Sequence, residues 1–213
     1  MTNVELKNKE IILNKVRIVF PSLFEKEDNK TFPKPEAERK YAARFLLSKT
    51  DPVHVKIIDE IKNTIKVFLK AKKIPDSPEA YKFFVDGDKL TEYDEDGDLG
   101  YLKGHYKVMG SNKMKPHVTN VDKSIITIEN KGLIYPGCYV HASISLYPYA
   151  LGVGSSLEHV QFSKKGDPIV GFAPKRADDK FNTDGDDKIE EDDEKDDFGT
   201  IKQDVNLLND RIF

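Results

Sequence analysis

A single cysteine among 213 residues, Cys138, excludes an internal disulfide framework and any metal site built from several thiolates. No apolar run approaches the roughly 18 residues that a membrane-spanning helix requires, and the opening MTNVELKNKE is too polar for a secretory signal. Those two absences predict a soluble, cytoplasmic chain with no membrane partner. Apolar residues are sparse as well: 38% hydrophobic against 33% charged leaves part of the chain without a core to join. The length bounds the rest at one ordinary domain or one domain with appendages.

What is present is divided by charge. Residues 178–213 carry 14 acidic against 5 basic residues, whereas the preceding 177 carry 23 acidic against 29 basic, so a net −3 hides a basic body and an acidic end. Such asymmetry suits a body that attracts phosphate and a tail that competes for the same surface; a merely solubilising tail explains it equally well.

Residues 11–20 (IILNKVRIVF) and 40–48 (KYAARFLLS) read as strands, the second with Tyr41, Ala43, Phe45 and Leu47 on one face. Asp51-Pro52 supplies an N-cap and a first-turn proline, and Val53, Ile57, Ile58, Ile61, Ile65, Phe68 and Leu69 follow at helical spacing, so a helix over 52–73 is predicted to plug or brace the strands. Residues 86–98 form an acidic, turn-rich insertion. Short β-patterned stretches at 101–110, 117–130, 137–149 and 157–162 complete a small closed barrel. Beyond about 175 an acidic low-complexity stretch cannot bury enough apolar surface to offset its ordering entropy. The predicted domains are therefore 1–175 and a largely disordered tail, 176–213.

Enzymatic chemistry finds little material. Asp94, Glu95, Asp96 and Asp98 share one turn, where a two-metal nuclease draws its carboxylates from separate rigid elements; an EF-hand starting at Asp94 would meet Leu99 and His105 where glycine and glutamate are needed. Cys138 and His141 have half a zinc spacing but point to opposite sides of a strand. Gly152 and Gly154 lack a surrounding phosphate-binding fingerprint. No catalytic residue, metal or cofactor is expected.

The informative signal is rings and cations alternating on strands. Tyr101, Lys103, His105 and Lys107 fall on one side of their stretch; Tyr139, His141 and Tyr147 lie opposite an apolar face made by Cys138, Val140, Ala142, Ile144 and Leu146. With Lys15, Arg17, Lys40 and Arg44 they form the candidate contacts to a single nucleic-acid strand, whose bases stack on rings for about 1–3 kcal/mol each while cations neutralise phosphates. Duplex reading would want more arginine than this chain has. An RNA-binding module, or an interaction factor whose tyrosines form a protein interface, would use the same pattern.

The runs DLGYLKGHYKVMGS, KPHV, IYPGCYVHASISLYPY and GVGSSLEHVQFSKKGDPIVG across 98–171, with RIVFPSLFE at 17–25, resemble the OB-fold single-stranded DNA-binding proteins of tailed phages. The resemblance implies a mainly β, OB-fold-like five-stranded barrel. It also implies preference for single-stranded DNA in replication, recombination or repair, and an acidic tail that contacts replication or recombination proteins and competes with DNA. Leu207, Leu208 and Phe213 are the partner-binding candidates. This chain departs from the pattern in having GTIKQDVNLLNDRIF after its acidic segment, where Ile201, Val205 and Leu208 could form a short amphipathic helix. A monomer or a homodimer is expected.

Overall fold

The computed structural model describes residues 6–27, 33–92, 94 and 99–169. Its strands are β1 (Lys9–Ser22), β2 (Tyr41–Ser48), β3 (Phe84–Asp86), β4 (His105–Asn112), β5 (His117–Thr119), β6 (Tyr139–Tyr149) and β7 (Gly152–Lys164), with helices α1 (Pro52–Lys72) and α2 (Gly87–Thr91). One sheet holds all seven in the order β3-β4-β2-β1-β6-β7-β5, antiparallel except for the β5–β7 pair.

The sheet curls until β4 packs on β7. There the Asn112 amide donates to Ser156 Oγ at 3.0 Å and to the Leu157 carbonyl at 3.2 Å. Gly110 permits the approach, since a methyl group at its Cα would stand 3.2 Å from Ile144 and Leu157. Strands β1, β2, β4, β6 and β7 thus make a partly open Greek-key barrel of the OB type. Five strands were expected and seven are found. The additional two, β3 and β5, are three residues each and extend the edges of the sheet, too short to stand out as sequence periods.

Strand β1 faces inward with Ile11 and Leu13 and again with Val16 and Ile18. Strict alternation would make those two pairs face opposite sides. A bulge resolves the conflict: the register shifts between Leu13 and Val16, and Lys15 takes the extra residue at φ 51°. Ala43, Phe45 and Leu47 from β2 and Val140, Ala142, Ile144 and Leu146 from β6 fill the same interior. The lone thiol, Cys138, is fully buried among them, with its pKa raised by that burial, while His141 is partly exposed, so no Cys-His pair exists.

Helix α1 forms as its sequence predicts. The Asp51 carboxylate accepts from the backbone N–H of Val53 (2.8 Å) and His54 (3.3 Å), a cap worth about 1 kcal/mol, and Lys73 ends the helix in the left-handed region. Ile57, Ile58, Ile61, Ile65, Phe68 and Leu69 pack against β1, β2, β6 and β7, bracing the barrel. His54 locks the helix start. Its Nδ1 accepts from Ser48 N–H at 3.1 Å, which leaves Nε2–H to donate to the Asn14 carbonyl at 3.0 Å, on the β1 bulge.

The acidic stretch 86–98 is not simply a loop, because its first residues have structural partners. Asp86 caps α2 by accepting from Asp88 N–H, Asp88 accepts from Gly104 N–H at 2.6 Å, and both carboxylates bind the Lys49 ammonium. Burial alone would lower the Lys49 pKa, but its two partners outweigh it and the net direction is up. Asp86 and Asp88 both titrate low: burial would raise Asp86, but Lys49 and the Asp88 N–H together outweigh it, and the Gly104 N–H acts first on Asp88. Depressed carboxylates stabilise above their unfolded pKa, about 3.9, and that contribution is lost as pH falls below it. Lys49→Ala is therefore expected to cost about 1–2 kcal/mol at pH 7, read as a lower thermal midpoint, and distinctly less at a pH low enough to protonate both carboxylates. An equal loss at both pH values would show that Lys49 acts through packing alone.

Candidate nucleic-acid interface

The outer surface of the sheet carries one row of paired residues across six strands. Lys164 on β7 opposes Tyr139 on β6, which opposes Arg17 on β1, then Leu46 on β2, Lys107 on β4 and Val85 on β3. At about 4.8 Å between strands the row spans about 24 Å. The Lys164 ammonium sits 4.6 Å from the centre of the Tyr139 ring.

At the β2–β4 end two cations stand together. Arg44 pairs with Met109, two residues along from the Leu46–Lys107 pair, so Arg44 and Lys107 are diagonal neighbours on one face. Burial, then the nearby Arg44, push the Lys107 pKa down, and no carboxylate pairs with Lys107 among the described residues. Arg44 donates from Nη2 to Glu27 at 2.7 Å, but its Nη1 is buried and has no hydrogen-bond partner. Its guanidinium lies 5.3 Å from the centre of the Phe20 ring. Partly dehydrated cations that repel one another and retain unused donors gain more from an arriving phosphate than solvated ones do.

The face continues into a depression of about 370 Å³ at the mouth of the β1–β2 connection, where Lys34, Arg39, Lys40 and Arg44 outnumber Glu27 and Glu38. Another cation meets a ring where the Lys115 ammonium lies 5.8 Å from the centre of the Phe24 ring.

Residues 165–169 cross this surface as a strap. The Tyr135 hydroxyl donates to the Gly166 carbonyl at 2.9 Å and accepts from Gly166 N–H at 3.1 Å, and Ile169 N–H donates to the Pro136 carbonyl at 3.1 Å. Ile169 is buried with Val19, Leu46 and Leu102 in a small second core on the outer side of the sheet. At Gly137, φ is 107° and a methyl group would stand 2.3 Å from the Asp167 carbonyl, so only glycine fits beneath the strap. Arg17 clasps it, donating to the carbonyls of Gly137 (3.3 Å) and Asp167 (2.6 Å).

The candidate residues therefore separate. Arg44 and Lys107 come together, Lys40 lines the adjoining depression, and Tyr101 lies near enough for Arg44 to pull against the burial that raises its phenol pKa. Tyr101 and Lys103 do not share a strand with His105 and Lys107, as the alternation predicted. Gly104, at φ 74°, separates a short 3-10 turn over Gly100–Leu102 from β4, which starts at His105. Lys103 is exposed in that turn, and His105 Nδ1 bonds the Lys103 carbonyl at 2.8 Å. Lys15 projects from the β1 bulge beside the start of α1. Tyr139 and His141 lie on β6, the latter 3.2 Å from the Asn14 side-chain oxygen. Tyr147, eight residues beyond Tyr139 and about 27 Å away along the strand, packs on Gly154. Leu207, Leu208 and Phe213, with the whole acidic segment, lie outside the described residues. Among the described residues no three His, Cys, Asp or Glu side chains converge to hold a metal, and no helix is long and apolar enough to cross a membrane.

The family described as Enterobacter phage Enc34, ssDNA-binding protein, matches residues 9–198. The chain belongs to that family. Protein p50 of Acyrthosiphon pisum secondary endosymbiont phage 1 is 35% identical over 176 residues, covering 76% of this chain and 87% of p50. Two solved structures share the fold at 22% identity. The single-stranded DNA-binding protein of bacteriophage Enc34 in complex with ssDNA aligns with a TM-score of 0.61 over 75% of this chain and 89% of its own. A second structure of the single-stranded DNA-binding protein from bacteriophage Enc34 gives 0.60 over 81% of this chain and 90% of its own.

Within this family member, sequence reasoning overlooked Phe20, Lys34, Arg39 and the strap. Phe20 was legible only as the end of a strand, although an aromatic next to a strand-ending proline already marks a ring held at a sheet margin. Arg39 and Lys40 stand together just before β2, and that doublet was the available signal.

Proposed function

We propose that this protein binds single-stranded DNA across the outer face of β2 and β4, and that it serves phage replication, recombination or repair in the host cytoplasm without catalysing a reaction. The observation that carries this reading is the Arg44–Lys107 pair, two partly buried cations with unused capacity for phosphate, on the strands an OB barrel uses for oligonucleotides. Membership of the family supports it. Rings at Phe20 and Tyr101 offer stacking surfaces beside the cations. The acidic segment 178–197 acts as an intramolecular competitor, and Leu207, Leu208 and Phe213 engage a replication or recombination protein.

An electrophoretic shift with single-stranded DNA, duplex DNA and RNA of equal length tests the reading. Single-stranded DNA should bind tightest, with log affinity falling against log salt by about 0.7 per neutralised phosphate. Equal affinity for duplex, or a flat salt response, would defeat it; tighter RNA binding would redirect it to an RNA module.

A further inference from the structure

Three of the protein's five histidines lie on the other flank of the sheet, outside the β2–β4 face. Ile12 on β1, Ser143 on β6, His159 on β7 and His117 on β5 form one continuous cross-strand row. The adjacent row holds His141, Gln161 and Thr119. Together they surround a shallow depression of about 250 Å³. The rings of His117 and His159 stack with centroids 5.5 Å apart and planes 21° from parallel, and both residues are exposed, as is Ile12 at 48%. Nothing in the barrel interior requires flat rings there, and β5 adds little beyond this row and its neighbour.

We propose that this histidine patch is a second strand-binding surface, which continues the path of a single nucleic-acid strand past Tyr139 and Lys164 onto the β6–β7–β5 flank. Continuity supports that occupant. His141 follows Tyr139 on the same face of β6, about 6.7 Å further along; on β7 His159 and Gln161 share that face, and a register shift after Phe162 brings Lys164 back to it opposite Tyr139. Imidazoles stack on bases and donate to phosphates, Gln161 and Thr119 offer hydrogen bonds to base edges or sugars, and exposed Ile12 supplies apolar contact. The depression is open and shallow, so it suits a strand lying across it better than an enclosed small molecule.

This inference rests on the proposed single-strand binding, and two oligonucleotide lengths separate their failures. Fluorescence anisotropy is measured with oligo-dT of about 6 and about 25 nucleotides on the native protein and on His117→Ala/His159→Ala, with thermal midpoints as a check that these exposed changes leave the fold intact. The short strand should bind both proteins alike, whereas the long strand should bind the variant at least about tenfold more weakly, with a smaller number of nucleotides occluded per protein. Equal affinity of the two proteins for the long strand overturns the patch and leaves the β2–β4 site standing. Loss of cooperativity between proteins on a long strand, with affinity for a single-protein site unchanged, also overturns it and assigns the patch to contact between copies. Failure of the native protein to bind either length removes both readings.

Discussion

Replacing Arg44 and Lys107 together with methionine is expected to weaken single-stranded DNA binding about 30-fold at low salt. Two phosphate contacts at about 1 kcal/mol each give that factor, and the log-log salt slope should become shallower by about 1.4. Lys107→Met alone should lower affinity while holding or raising the thermal midpoint, because it removes a half-buried ammonium that burial and Arg44 already disfavour and keeps the apolar stem. Arg44→Met releases Glu27 as well, so a modest loss of stability is expected from that change. Binding measured on the folded fraction with unchanged affinity and unchanged slope would show that the cations serve the sheet rather than a ligand.

Deleting residues 178–213 is expected to tighten binding about tenfold at low salt, and progressively less as salt rises. The removed segment carries 14 acidic against 5 basic residues beside a body of the opposite sign. A tethered polyanion at an effective concentration of order millimolar can compete with a strand whose own attraction is electrostatic. The same truncation should abolish co-purification with replication or recombination proteins, since Leu207, Leu208 and Phe213 leave with it. Unchanged affinity at low salt would show that the acidic segment does not compete. Weaker binding would show that it contributes to the bound state.

Helix α1 was legible almost to the residue because its signals are local: an aspartate cap, a proline at the first position and apolar residues at one helical period. The inward face of β2 was legible for the same reason. The β1 bulge was not, because one inserted residue leaves the composition of the strand unchanged and shows only in the register with β6. Tyr101 and Lys103 were misplaced by reading alternation through Gly104, whose positive φ marks a turn that no count of polar and apolar residues reveals. Arg17 looked like any other strand cation. Its guanidinium is committed to a carbonyl 150 residues away, at Asp167, and only tertiary structure brings that acceptor to it. The pairing of Arg44 with Lys107 likewise depends on β2 lying beside β4, an order that sequence spacing does not state.

The single buried thiol gives this molecule a built-in clock. Cys138 adjoins Gly137 beneath the strap, and its carbonyl and the Gly137 N–H are both bonded to Ile18 of β1. A thiol reagent can reach it only when the core around it opens, so its labelling rate in native buffer reports how often that opening occurs. With no second cysteine to confuse the signal, the same measurement made with and without a bound oligonucleotide would time the breathing of the barrel at its clasp, residue by residue of strand added.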